Sequence, residues 1–154
     1  MNRLHRLFVR SFLAPLSASL LCLGLAVAST AARADRVSGE DTKAIRAVVE
    51  AQLAAFAADD GQRAFSYAAP SIREMFGSAD RFMAMVRAGY PVVYRPAAVV
   101  FPNPEWVQGT LVQGVHLTDA EGRLWIALYT LERQPDKRWA ISGCNVQPSA
   151  GKMT

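Results

Sequence analysis

The sequence predicts an α+β fold, with three N-terminal helices packed on a curved four-stranded antiparallel sheet. Three observations carry this. Apolar residues recur at helical spacing as far as Tyr90, they alternate or run in β-branched stretches from Val92 onward, and short polar turns join those later stretches. A block of helices followed by hairpin-linked strands places the helices on one face of the sheet. The 154 residues suffice for one domain with a sizeable core, and not for two.

The first 34 residues carry a different signal. Arg3, Arg6 and Arg10 precede an apolar run of about 16 residues, Phe12 to Val27, and Ala32-Arg33-Ala34 supplies small residues at the cleavage positions. This order predicts a signal peptide over 1–34, cut between Ala34 and Asp35, and export to the periplasm or out of the cell. The run contains Pro15 and falls short of the roughly 20 residues that span a bilayer, which argues against a stable membrane anchor. Ser19-Leu20-Leu21 before Cys22 lacks the small residue of a lipid-attachment site, and there is no twin-arginine pair.

Cleavage changes the electrostatics. The whole chain has a formal charge of +4, yet four of its 17 basic residues and none of its 13 acidic ones fall within 1–34. A mature chain with balanced charge and no basic block has no counterion-release term to drive nucleic-acid binding. His5 and Cys22 also leave, so His116 and Cys144 are the one histidine and one cysteine of the mature chain. That count excludes an intrachain disulfide and a Cys/His structural zinc site. The acidic residues are scattered, with no D-x-D-x-D-G loop, and no metal or cofactor is expected.

Within 35–147, read as one α+β domain, the first helix is the clearest. Ser38 is a candidate N-cap with Asp41 three residues on; Ile45, Val48, Val49, Leu53 and Phe56 form the apolar stripe; Asp59-Asp60-Gly61 ends it. Gln52 sits on that stripe, either at the edge of the buried face or as a donor into a pocket. A shorter helix, Gln62 to Ala68, is stopped by Pro70. One or two turns around Ile72–Phe76 follow, then a third helix capped by Ser78, with Phe82, Met85 and Val86 as its stripe and Gly89-Tyr90-Pro91 as its stop. Met75, Met83 and Met85 read as core filler.

Four strands are expected next. Val92–Phe101 is interrupted by Pro96, which suits an edge or bent strand, and Pro102-Asn103-Pro104 is a break. Trp106–Thr118 alternates, Asp119–Gly122 is a turn, and Arg123–Glu132 is the third strand. A type I turn with Pro135 at its first central position leads into Arg138–Val146. Residues 148–154 read as a disordered tail.

The phrases "QLAAFAADDGQRAFSYAAP", "GYPVVYRP" and "LWIALYTLERQPDKRWAISGC", set in this order of helices and strands, resemble a family of bacterial exported domains of unknown function with the nuclear transport factor 2-like (cystatin-like) fold. The likeness covers about residues 40–147 and includes no catalytic signature. It implies a cone of helices over a curved sheet, with dimerisation through the outer sheet face and ligands on the concave side. Enzymes of that superfold, such as ketosteroid isomerase and polyketide cyclases, use a pocket carboxylate with a tyrosine or a second acid.

Turn lengths propose a register. A four-residue loop at 119–122 sets Thr118 against Arg123, Leu117 against Leu124 and His116 against Trp125. A loop at 134–137 sets Arg133 against Arg138 and Ala127 against Cys144. One face then carries Leu111, Val115, Leu117, Leu124, Ile126, Leu128, Trp139 and Ile141, apolar enough to be the helix-covered core. The other carries Val112, Gly114, His116, Trp125, Ala127, Tyr129, Ser142 and Cys144, a trough of small residues between aromatic walls. Close packing by another element, a homodimer interface and a small-molecule pocket all fit that trough, and the resemblance favours the interface.

Catalytic arrangements fare less well. Cys144 and His116 fall two strands apart in this register, about 9–10 Å, whereas a nucleophile and its base must come within about 3 Å. No helix N-terminus or cation is placed to activate Cys144, which reads as structural. His116 reads as a hydrogen-bonded core residue before a general base. There is no G-x-S-x-G elbow and no glycine-rich phosphate loop. The carboxylates fall at helix ends (Asp41, Asp59, Asp60, Asp80) or turns (Asp119, Glu121, Asp136), so no catalytic residue is assigned. The expected function is a non-catalytic ligand- or partner-binding module; the alternative is a cofactor-independent isomerase- or cyclase-like enzyme with a pocket between helices and sheet. Candidate pocket or interface residues are His116, Trp125, Tyr129, Cys144, Tyr67 and Tyr90, with Tyr94 as a further aromatic at the helix–sheet junction.

Overall fold

A computed structural model describes residues 36–149. The expected cleavage at Ala34 and Asp35 and most of the expected tail lie outside the described residues. Helix α1 (Gly39–Ala57) starts where Ser38 Oγ accepts the Asp41 backbone N–H at 3.0 Å, and buries Ile45, Val49, Leu53 and Phe56. It ends at Asp59, a non-glycine residue in the left-handed region (φ 57°). Asp60 then caps α2 (Gly61–Ser66) by accepting from the Arg63 backbone N–H. Pro70 opens α3 (Pro70–Phe76), where its missing N–H costs nothing, and Gly77 closes it at φ 69°. Ser78 caps α4 (Ala79–Gly89), and a single turn, α5 (Pro91–Tyr94), follows.

Five strands form one antiparallel sheet: β1 (Ala98–Val100), β2 (Glu105–Val107), β3 (Thr110–Thr118), β4 (Leu124–Arg133) and β5 (Trp139–Pro148). The lateral order is β1-β3-β4-β5, and β2 pairs with the same edge of β3 as β1, further along it. Residues 101–104 bulge out between β1 and β2, because Pro102 and Pro104 cannot both serve in a ladder. The helices cover one face, where Ile45, Val49, Phe56 and Phe82 meet Leu111, Val115, Leu117, Tyr129, Leu131 and Ile141 in a continuous core. Phe82 is its aromatic centre, with ring centroids 5.9, 5.3 and 5.5 Å from those of Phe56, Phe65 and Phe76. Trp139 Nε1 donates to Asp41 Oδ1 at 3.1 Å and pins the start of α1 to the start of β5. No described helix is long and apolar enough to cross a membrane.

The α+β class with helices on an antiparallel sheet is therefore as expected, but the elements number five helices and five strands among the described residues, against three and four. Val92–Tyr94 is helical instead of opening a strand, since Pro91 favours a helical first turn. The long strand expected from Trp106 is a hairpin, turned at Gln108 (φ 50°) and Gly109 (φ 79°), the conformation of a type I′ turn.

The register also differs. Asp119 to Arg123 closes as a five-residue loop, so Leu117 opposes Trp125 and His116 opposes Ile126. Gln134 to Arg138 does the same: Pro135 occupies its expected place in a 134–137 turn, but Lys137 at φ 68° adds one residue and Arg133 opposes Trp139. Each one-residue slip exchanges faces. The first turns Trp125, Ala127, Tyr129 and Leu131 toward the helices and sends Leu124, Ile126 and Leu128 outward; the second restores Trp139 and Ile141 to the core. A bulge opposite Thr130 then places Ser142 and Gly143 against one residue, and Cys144 faces inward beside Tyr129, not opposite Ala127. A Cβ at Gly143 would stand 2.8 Å from Thr130 Oγ1, so a larger residue there would force the threonine side chain to shift.

This register has a direct test. Ala127→Leu overpacks the core and is expected to cost about 1–3 kcal/mol of unfolding free energy in urea, while Leu128→Ala on the outward face costs less. The opposite order would show that β4 is turned over.

Candidate functional site

Between helices and sheet lies an apolar cavity of about 400 Å³, within the ordinary range for a small-molecule site. Its helical walls come from Phe56 of α1 and from Phe82, Met85 and Val86 of α4. Ile72, Met75 and Phe76 of α3 form another side; α3 buries none of its residues fully, and Met75 stays 73 % exposed. The sheet supplies Tyr129, Ile141, Gly143 and Cys144, brought together by the β4–β5 bulge.

Four polar side chains, Gln52, Tyr90, Tyr129 and Cys144, interrupt the apolar wall. Gln52 is buried and donates from Nε2 to the Ala64 carbonyl at 3.1 Å, tying α1 to α2 while also reaching the cavity. Tyr129 is 1 % exposed, and its hydroxyl has no oxygen or nitrogen partner among the described residues; its polar neighbour is the Cys144 thiol, too weak a hydrogen-bonding group to satisfy it. Burial pushes that hydroxyl well above the ordinary phenol range, and the neighbouring Cys144 adds to the effect. Burial likewise pushes the Cys144 thiol up to about 12, only partly offset by Tyr129. Both groups stay protonated at neutral pH, so neither is an activated nucleophile nor a base.

The candidate residues distribute as follows. Tyr129, Cys144 and Tyr90 meet at the cavity. Trp125 shares their sheet face but lines an adjoining groove, which also includes Tyr90. There Trp125 Nε1 donates to Asp119 Oδ2 at 2.9 Å, and Arg123 Nε donates to the same oxygen at 2.7 Å. Burial raises the Asp119 pKa, but these hydrogen bonds outweigh it and hold the carboxyl at about 2. His116 does not join the site: it is exposed on the opposite face of the sheet, so a dyad with Cys144 is excluded by the sheet itself. Tyr67 lies outside the cavity wall, its hydroxyl accepting from Arg63 Nε at 3.3 Å. Tyr94 donates to Asp59 Oδ1, and Arg87 and Arg95 pair with the same carboxylate at 2.8 and 2.7 Å, locking the end of α1 to α4 and α5. Among the described residues no three His, Cys, Asp or Glu side chains gather as a metal-binding group.

Sequence reasoning assigned Phe56, Phe82, Met85 and Val86 to packing, which periodicity alone reports. Whether such a stripe meets a neighbour or a void depends on how far apart helix and sheet sit. Gln113 was missed altogether: it is fully buried on the row of Tyr129 and Cys144, and Nε2 donates to the Pro102 carbonyl at 2.8 Å while Oε1 has no partner among the described residues.

The model of a family described as a domain of unknown function (DUF4864) matches residues 38–154, so the chain belongs to that family. No curated protein matches, and no solved structure does.

Two measurements follow from the wall. An unpaired buried hydroxyl is destabilising, so Tyr129→Phe should leave stability unchanged or raise it by about 1 kcal/mol; a loss above that would mean the hydroxyl has a partner. For Cys144 the folded pKa lies above the ordinary 9.0, so its stabilising contribution is complete below that pH and disappears as pH rises toward about 12. The urea midpoint is expected to fall across this window, less steeply in Cys144→Ala; parallel curves would contradict the burial of the thiol.

Proposed function

We propose that this member of the DUF4864 family binds a small apolar molecule between its helices and sheet and does not transform it. The observation that carries the reading is an apolar cavity whose wall holds no carboxylate, imidazole, ammonium or guanidinium among the described residues. An isomerase- or cyclase-like reaction needs an acid or base poised near the working pH, and of the three titratable side chains in the wall, Tyr90, Tyr129 and Cys144, burial holds the last two protonated. A helix block over one face of an open antiparallel sheet also supports the nuclear transport factor 2-like reading, in which such a cavity is the natural ligand position. Export by way of residues 1–34 fits a carrier or sensor of small molecules outside the cytoplasm.

Self-association is a second reading, supported by the outward row Leu124, Ile126 and Leu128 with Val100 exposed beside it. It moves the proposed dimer face away from Trp125 and Tyr129 to the other side of the sheet. Sedimentation of the 35–154 chain at high micromolar concentration is expected to show a dimer, and a monomer there ends this second reading.

Ligand binding is tested with the neutral dye Nile red. Saturable one-to-one binding with a fluorescence gain is expected in the wild type. Met85→Trp, which fills the cavity from α4, should abolish it, and Met75→Glu at the exposed rim should weaken it with the fold intact by circular dichroism. Absence of saturable binding, or binding indifferent to both substitutions, overturns the proposal.

A further inference from the structure

We infer that the cavity selects an uncharged ligand that carries a hydrogen-bonding oxygen on an otherwise apolar frame, and that Tyr129 reads that oxygen; this rests on the binding reading above. The wall holds no carboxylate, imidazole, ammonium or guanidinium among the described residues, and burial keeps Tyr129 and Cys144 protonated. A carboxylate or ammonium placed there would lose its hydration without gaining a counter-ion. The adjoining groove, which shares Tyr90 with the cavity, contains Arg95 and Arg123, two cations an anionic head could seek. Both are already engaged: Arg95 pairs with Asp59 at 2.7 Å, and Arg123 pairs with Asp119 at 2.7 Å and Glu121 at 3.2 Å. Asp119 and Glu121 line the same groove, so its charges balance. An anion would have to displace carboxylates that are covalently fixed beside their partners.

A pure hydrocarbon is not the best occupant either. Tyr129 presents a protonated hydroxyl in the wall with no partner among the described residues, and an apolar ligand would leave it so. A carbonyl, ether or alcohol oxygen satisfies it. A site that offers a hydrogen bond discriminates strongly against the isostere that cannot make it, because the buried group is then left unpaired. The neighbouring Cys144 thiol is too weak a donor to substitute for Tyr129.

The test displaces Nile red with three matched naphthalenes: acetylnaphthalene (a neutral carbonyl), ethylnaphthalene (no polar atom) and naphthoate (a carboxylate). Acetylnaphthalene is expected to bind at least about tenfold more tightly than either of the others, the factor one well-made hydrogen bond supplies. Tyr129→Phe should bring acetylnaphthalene down to the level of ethylnaphthalene and leave ethylnaphthalene unchanged; its melting temperature, expected not to fall, establishes that the variant is folded. If naphthoate competes as well as acetylnaphthalene, selection of uncharged ligands is overturned while the cavity reading stands. If acetyl and ethyl compounds bind alike, or Tyr129→Phe changes neither, the role of Tyr129 is overturned. If none of the three displaces a dye that Met85→Trp excludes, the ligand class is wrong. Failure of Nile red itself to bind overturns the cavity reading and this inference with it.

Discussion

The pleat of the sheet governs everything else in this protein. Side chains on a strand alternate faces with a period of two, so each residue inserted into a turn or bulge turns over the strand that follows. Three such insertions operate here, at Asp119–Arg123, at Lys137 and opposite Thr130. Together they bring Tyr129 of β4 and Cys144 of β5 side by side beneath the helices, on the face away from the exposed His116 of β3. The cavity owes its character to that choice. Turned the other way, β4 would offer Leu124, Ile126 and Leu128 to the helices, and the hydroxyl would be outside.

Carboxylates fasten elements and turns to one another outside the cavity wall. Asp41 accepts from the Trp139 indole, Asp59 from Tyr94, Arg87 and Arg95, and Asp119 from Trp125 and Arg123. In all three the hydrogen bonds stabilise the ionised form and lower the pKa. Each ties elements that are distant in sequence or closes a turn that sets register. The acids sit at helix ends and loops, where capping alone would account for them, yet their partners come from other elements. The cavity wall is made mainly of aromatic, aliphatic and thioether groups, with Gln52, Tyr90, Tyr129 and Cys144 as its polar members.

Inside, the structure tolerates polar atoms that folding alone does not favour. A buried hydroxyl without a partner costs stability, and a phenylalanine would fill the same space without that cost. The opening comes from α3, which packs loosely enough to bury none of its residues and borders the cavity with Ile72, Met75 and Phe76.

The sequence by itself determined the α+β class, the order of helices before strands, the caps at Ser38 and Ser78, and the inward stripe of α1, because each depends on residues within a turn or two of one another. It also brought Tyr129 and Trp125 to one face, since alternation within β4 survives an error in its pairing; Cys144 of β5 stays on that face because the extra residue at Lys137 and the bulge opposite Thr130 cancel. It did not determine which way that face points. That rests on one residue more or less in a turn, and "DAEG" and "PDK" permit both loop lengths. The helical turn at Pro91 and the hairpin at Gln108-Gly109 were readable from local rules but yielded to the longer β-branched runs around them. Only the tertiary structure decided that Tyr129 lacks a partner and that a cavity separates it from α4. Both are distances between elements far apart in the chain, and a hydrophobic stripe looks the same whether it meets a neighbour or an empty space.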